Sequence, residues 1–417
     1  MSEHPSKPRA TAGLRGAGWD PKRMARAFQT SPAALRTADD QRSLGLLYSQ
    51  TGREKTVVCL MHPREFTGTP YLVPDVLDAG CAAWVQAPRS IGNDLRLEHE
   101  AALLDVAAGM VHLRAQGFER VVLLGNSGGA SLYAFYIQQS SLQPDTRLRQ
   151  TPGGRPIHLA GADMPEADEL ILVSPHPGQG ALLMNALDPS VTDESDAFST
   201  DPSLDPFDAA NGFAQPPQSS CYSADFVQRY RLAQRARAQR MDDWARRLIH
   251  ERHQARQQSK SGQATADNRR RGAHTPIMQM WRTDADLRCW DVSLDPSDRA
   301  VGTLWGRDPW ASNWGSVGFA RLLTPESWLS TWSGISTNAS FAKCGAAIQM
   351  PTQLIEYTGD QAAFPSDMNA IYENLGTTQK ERHRVRGNHH GHALAEGEPS
   401  GQVLVGKLVQ QWLQETH

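Results

Sequence analysis

The stretch Val121-Val-Leu-Leu-Gly-Asn-Ser-Gly-Gly-Ala130 decides the fold. Its first four residues are a short continuous apolar run, the pattern of a strand buried on both faces of a parallel sheet. Gly125-Asn126-Ser127-Gly128-Gly129 follows at once, and the segment from Gly129 to about Ser140 reads as a helix. A serine on so sharp a strand-to-helix turn has a strained backbone and crowded neighbours. Glycines two before and two after it relieve the crowding, and the helix N-terminus brings free N–H groups and a positive dipole end beside the hydroxyl. The turn therefore suits a nucleophile; the plain alternative is a Gly/Ser joint between strand and helix.

The same alternation extends outward. Thr56-Val-Val-Cys-Leu-Met61 is a second buried run, Cys81-Ala-Ala-Trp-Val85 a weaker one, and Leu170-Ile-Leu-Val173 another. Between Glu98 and Gln116, Leu103, Val106, Met110 and Leu113 recur at three- and four-residue steps, one face of a helix that Gly117 is placed to end. Strands alternating with helices imply an α/β class, a mostly parallel sheet with helices on both faces. The alternation stops near Pro175. A Pro/Asp/Ser-rich stretch from Asp188 to Pro217 precedes a long helical segment beginning near Ala224, and an aromatic region follows that holds seven of the eleven tryptophans. The sheet pattern resumes at Gln353-Leu-Ile-Glu-Tyr357, with Arg384-Val-Arg386 as the last strand and a final helix carrying Leu404, Leu408 and Trp412. The expected division is a flexible lead-in over 1–40, a core over 41–180 and 340–417, and an inserted, mainly helical cap or lid over 181–339.

Composition narrows the function. The chain has 417 residues, 39% hydrophobic and 21% charged, enough to bury a core and to exclude wholesale disorder. A net charge of −3 excludes a globally basic nucleic-acid binder. Phe226 to Arg271 holds 13 Arg/Lys against 4 Asp/Glu, a local +9 that leaves about −12 for the rest, and Arg269-Arg-Arg271 stands alone within it. No apolar run approaches the ~18 residues of a membrane span, and no apolar core follows the N-terminal charges, so neither a membrane segment nor a secretory signal is expected. Five cysteines without CxxC spacing read as reduced thiols of a cytoplasmic chain, not as a disulfide frame or zinc site.

With these residues the chain resembles the α/β-hydrolase superfamily, in its branch of esterase- and lipase-like serine hydrolases. The resemblance covers about residues 40–180 and 340–417, with the middle region as the variable cap. It implies the α/β-hydrolase fold, Ser127 as nucleophile, and then an acid and a histidine in that chain order. Val385-Arg-Gly-Asn-His-His-Gly-His-Ala-Leu394 offers three imidazoles. The family spacing Gly-x-x-His, counted from Gly387, points to His390, with His389 the runner-up and His392 third. His-His-x-His also has ligand types suited to zinc, but no HExxH, CxxC or obvious carboxylate accompanies it. For the acid, the loop after Leu354-Ile-Glu-Tyr357 points to Asp360; the position four before Pro365, where many members carry it, is Gln361, so Glu356 and Asp367 stay as alternatives. The implied oxyanion donors are the N–H groups of Gly128 and Arg64, because Pro63, after His62, has no N–H. His62 itself is expected to brace the loop.

The expected activity is hydrolysis of a carboxylic ester through an acyl-enzyme. A thioesterase or C–C bond hydrolase with the same triad is the alternative, and so is a non-catalytic ligand-binding protein of this fold. The partner is a small-molecule acyl substrate, aromatic if the cap tryptophans wall its pocket and anionic, as in coenzyme A, if the cap arginines attract it. No cofactor and no metal is called for; a homodimer is left open.

Overall fold

A computed structural model describes residues 17–24, 27–261, 265–316 and 318–415. The strands, in chain order, are β1 (Gln29–Arg36), β2 (Arg42–Ser49), β3 (Thr56–Met61), β4 (Ala82–Ala87), β5 (Arg120–Asn126), β6 (Glu169–Val173), β7 (Met278–Gln279), β8 (Leu322–Leu323), β9 (Thr352–Tyr357) and β10 (Lys380–Val385). Eight of them form one sheet in the order β1-β2-β4-β3-β5-β6-β9-β10, while β7 and β8 pair apart, within the inserted region. β2 runs antiparallel to both β1 and β4, and every other pairing in the large sheet is parallel.

The central strands are apolar throughout because both faces are covered. Val57, Cys59 and Leu123 pack with Leu103, Met110, Tyr133 and Phe135 of α2 (His99–Ala115) and α3 (Gly128–Ser140). Val58, Leu60 and Leu124 pack on the other face with Val76, Val405, Val409 and Trp412, from α1 (Val73–Asp78) and the C-terminal helix Gly401–Gln414. Parallel register brings the strand C-termini to one edge: Leu60 pairs with Leu124, Asn126 with Val173, and Val173 with Ile355. Whatever follows β3, β5, β6 and β9 therefore emerges side by side.

Residues 1–16 of the expected lead-in lie outside the described residues, and Gln29–Arg36 departs from the expectation. It is an edge strand paired along its whole length with β2. All but two of its residues are exposed, so no apolar alternation announced it. β10 starts at Lys380, ahead of the expected Arg384, for the same reason: a polar edge strand.

The inserted region opens with α4 (Gln179–Ala186) and carries the 37-residue α5 (Ala224–Lys260) and then α6 (Ala266–Ala273). The Ser223 hydroxyl caps α5, accepting the Phe226 N–H at 3.2 Å. Leu183, Met241, Ala245, Trp328 and Trp332 form an apolar cluster that reaches Leu97 of the core. Two buried guanidinium groups hold the region together, Arg237 on Glu194 at 2.7 Å and Arg282 on Asp188 at 2.7 Å.

Candidate active site

Ser127 sits at the bend between β5 and α3 with φ 54° and ψ −122°, a conformation that costs a non-glycine residue on the order of 1–3 kcal/mol. The flanking glycines are there for space. A Cβ on Gly125 would lie 2.5 Å from the Ala130 Cα, and one on Gly129 would lie 2.5 Å from the Met61 carbonyl oxygen. Because α3 starts at Gly128, the N–H groups of Gly128 and Gly129 fall in its first turn, where no intrahelical acceptor exists.

The structure brings His389 to this serine, which corrects the expectation of His390. His389 Nε2 is 3.0 Å from Ser127 Oγ, and its Nδ1 is 2.8 and 3.0 Å from the two Asp360 carboxylate oxygens. The reason is the tightness of the turn after β10. The Gly391 N–H donates to the Asn388 carbonyl at 2.8 Å, Gly391 adopts φ 76°, and Asn388 Oδ1 accepts the N–H groups of His390 at 3.1 Å and His392 at 3.0 Å. The chain reverses one residue sooner than the spacing from Gly387 assumes, so the inward position falls on 389. The His390 ring stands edge-on to that of His389, centroids 4.9 Å apart, and His392 lies on the exposed side of the turn.

Asp360 is where the sequence places it. Its Oδ1 accepts the N–H groups of Ala362 at 2.7 Å and Ala363 at 3.1 Å, and its Oδ2 accepts the Ser174 hydroxyl. Burial alone would raise this carboxyl, but the facing His389 and these hydrogen bonds outweigh it and hold Asp360 below the usual carboxylate range. The alternatives are spent elsewhere: Glu356 pairs with Arg382 at 2.8 Å and Arg384 at 2.6 Å, and Asp367 accepts from Phe364 N–H and Arg288.

The loop after β3 departs from expectation at Arg64. Its N–H turns inward to His62 Nδ1 at 3.2 Å, as does that of Glu65 at 3.0 Å, and its guanidinium holds Asp94 at 2.7 Å and Glu65 at 2.6 Å. The Arg64 N–H is therefore not aimed at the serine. His62 does brace the loop, and burial, reinforced by the nearby His176 and Arg64, holds its pKa well below the ordinary value.

Sequence reasoning missed Ser174 and His176. Both directly follow β6, the neighbour of β5, and that adjacency was the available signal. Ser174 adopts φ 48° and so turns its hydroxyl onto Asp360. His176 is buried and burial, with His389 next to it, drives its pKa down to about 3.

A cavity of about 130 Å³ opens over Ser127, walled by Leu60, Tyr71 and Leu124 from the core and Trp305, Phe319 and Trp332 from the inserted region. Arg64 is the one arginine among the described lining residues. Several arginines of the inserted region are turned to acids, among them Arg237 to Glu194, Arg282 to Asp188 and Arg288 to Asp286. Among the described residues no group of three or more His, Cys, Asp or Glu is placed to hold a metal ion, and no helix is long and apolar enough to cross a membrane.

The sheet order, the helices on both faces and the bend at Ser127 define an α/β-hydrolase fold. No family model matches the sequence, and no curated protein matches it. Several solved structures are similar to the chain. DcsB, in complex with its substrate analogue, is 12% identical with a TM-score of 0.50, over 93% of this chain and 98% of that one. The α/β hydrolase GrgF from Penicillium sp. sh18 is 11% identical with a TM-score of 0.48, over 92% and 97%. The Pyrococcus furiosus esterase Pf2001 is 11% identical with a TM-score of 0.43, over 95% and 91%. At 12% identity the DcsB likeness speaks to the fold alone.

Proposed function

We propose that the protein is a serine hydrolase that cleaves a small carboxylic ester through an acyl-enzyme. His389 Nε2 takes the Ser127 proton as the oxygen attacks the acyl carbon, and Asp360 stabilises the imidazolium that forms. The Gly128 N–H faces the oxyanion at the positive end of α3. The proton passes from His389 to the leaving alkoxide, and a water deprotonated by the same imidazole releases the acid.

The observation that carries this reading is the continuous path Ser127–His389–Asp360, at 3.0 and then 2.8 Å, beneath a cavity with mostly apolar walls. An ester is favoured over a coenzyme A thioester because none of the arginines between Phe226 and Arg271, whose charge suggested an anionic substrate, lines the cavity over Ser127. The test is labelling by a fluorophosphonate with peptide mapping, alongside hydrolysis of p-nitrophenyl esters. The label is expected on Ser127, and Ser127→Ala should lower turnover by ~10⁴. Retention of more than about a tenth of wild-type turnover refutes Ser127 as the nucleophile, whereas no label and no turnover on native protein replace this reading with that of a ligand-binding protein.

A further inference from the structure

In the loop after β3, the three residues that follow His62 offer no free backbone N–H. Pro63 has no N–H, and those of Arg64 and Glu65 are both consumed by His62 Nδ1, at 3.2 and 3.0 Å. That same pair of bonds fixes the imidazole. A nitrogen that accepts two N–H groups carries no proton, so in neutral His62 the proton is on Nε2.

Where Nε2 points follows from the sheet. β3 and β5 are neighbours in parallel register, so His62 emerges beside Ser127. The first turn of α3 lies directly on the end of β3. A Cβ on Gly128 would be 2.6 Å from His62 Nε2, and His62 lines the cavity above the serine.

We propose that the Nε2–H of His62 is the second donor to the oxyanion, working with the Gly128 N–H, so that an imidazole stands where a backbone amide would otherwise serve. The inference rests on the serine hydrolase reading. Burial and the neighbouring His176 and Arg64 oppose protonation of this ring, so it donates a hydrogen bond and transfers no proton. His176 Nε2 approaches the same point from the β6 side, 3.3 Å from that Cβ position. His62 is assigned the role because its other nitrogen is anchored, which settles the tautomer.

Two substitutions separate brace from donor. In His62→Asn the amide oxygen replaces Nδ1 as acceptor for the loop, while the Nε2–H is gone. In His62→Gln the longer amide returns an N–H to the Nε2 position. With p-nitrophenyl butyrate as substrate, His62→Asn should lower kcat by ~10²–10³ with KM within about threefold, and weaken an alkyl trifluoromethyl ketone by the same factor. Its melting temperature should stay at the wild-type value, and His62→Gln should recover roughly tenfold or more of the lost kcat. A His62→Asn enzyme within about threefold of wild-type kcat overturns the assignment. So does a kcat loss with ketone affinity intact, or a His62→Gln enzyme no better than His62→Asn. Ser127→Ala, assayed in parallel, reports on the other question: if it still hydrolyses the ester, the serine hydrolase reading falls whatever His62 does.

Discussion

At the scale of single residues, the site turns on which of two adjacent imidazoles faces Ser127. His389 makes the 3.0 Å contact, and His390 packs edge-on behind it. His389→Ala should therefore cost ~10⁴ in kcat on a p-nitrophenyl ester, and His390→Ala less than about tenfold. The acid side of the pH profile follows from the surrounding rings. Burial keeps His99 neutral down to about 4, and His176 down to about 3. Burial also holds His62 well below its ordinary value. None of these three rings should therefore add an inactivating proton to the acid limb of log kcat/KM above about pH 5. An acid limb above about pH 5 that moves when His99 or His176 is replaced by Gln would mean that a buried ring titrates there after all. Ser127 and Asp360 were legible because strand, turn and helix signals bracket them. His389 was not, because residue spacing does not reveal how soon a turn closes. At His62 the sequence carried half the message: Pro63 already excluded a donor, but only the folded loop shows a ring beside Gly128.

At the scale of elements, what the sequence revealed tracks burial. β3, β5, β6 and β9 are covered on both faces and read as apolar runs. β1 and most of β10 are held by backbone pairing at the sheet edges and leave little hydrophobic trace. β2 was equally hidden, although its Gly45 has a distinct purpose. A Cβ there would run into the Trp84 ring on β4, so the glycine is what lets the two strands close over that indole. Gly45→Val should destabilise the fold by ~1–3 kcal/mol through overpacking, measured by urea unfolding, with little effect on KM for the ester. An unchanged midpoint would mean that the indole has another rotamer open to it.

At the scale of the whole molecule, stability should respond to pH through carboxyls buried away from the catalytic pair. Burial raises Asp284 from its ordinary 3.8 to about 6, although Thr303 donates to it at 2.7 Å. The folded state keeps this proton up to about pH 6, whereas the unfolded chain releases it near 4. Stability is therefore lost as pH rises through that window and stays lower above it. Asp284→Asn, which still accepts from Thr303, should raise unfolding free energy at pH 7 by on the order of 2–3 kcal/mol and change it little at pH 4. Equal gains at both pH values would point to packing and not to the proton. The division of the cavity wall between core and inserted region has an optical consequence. Trp305 and Trp332 line the same cavity as Ser127, so an acyl group that fills the space comes to lie against two indoles at once. Intrinsic emission then becomes a label-free clock, through which stopped-flow mixing could time acylation and release as separate phases.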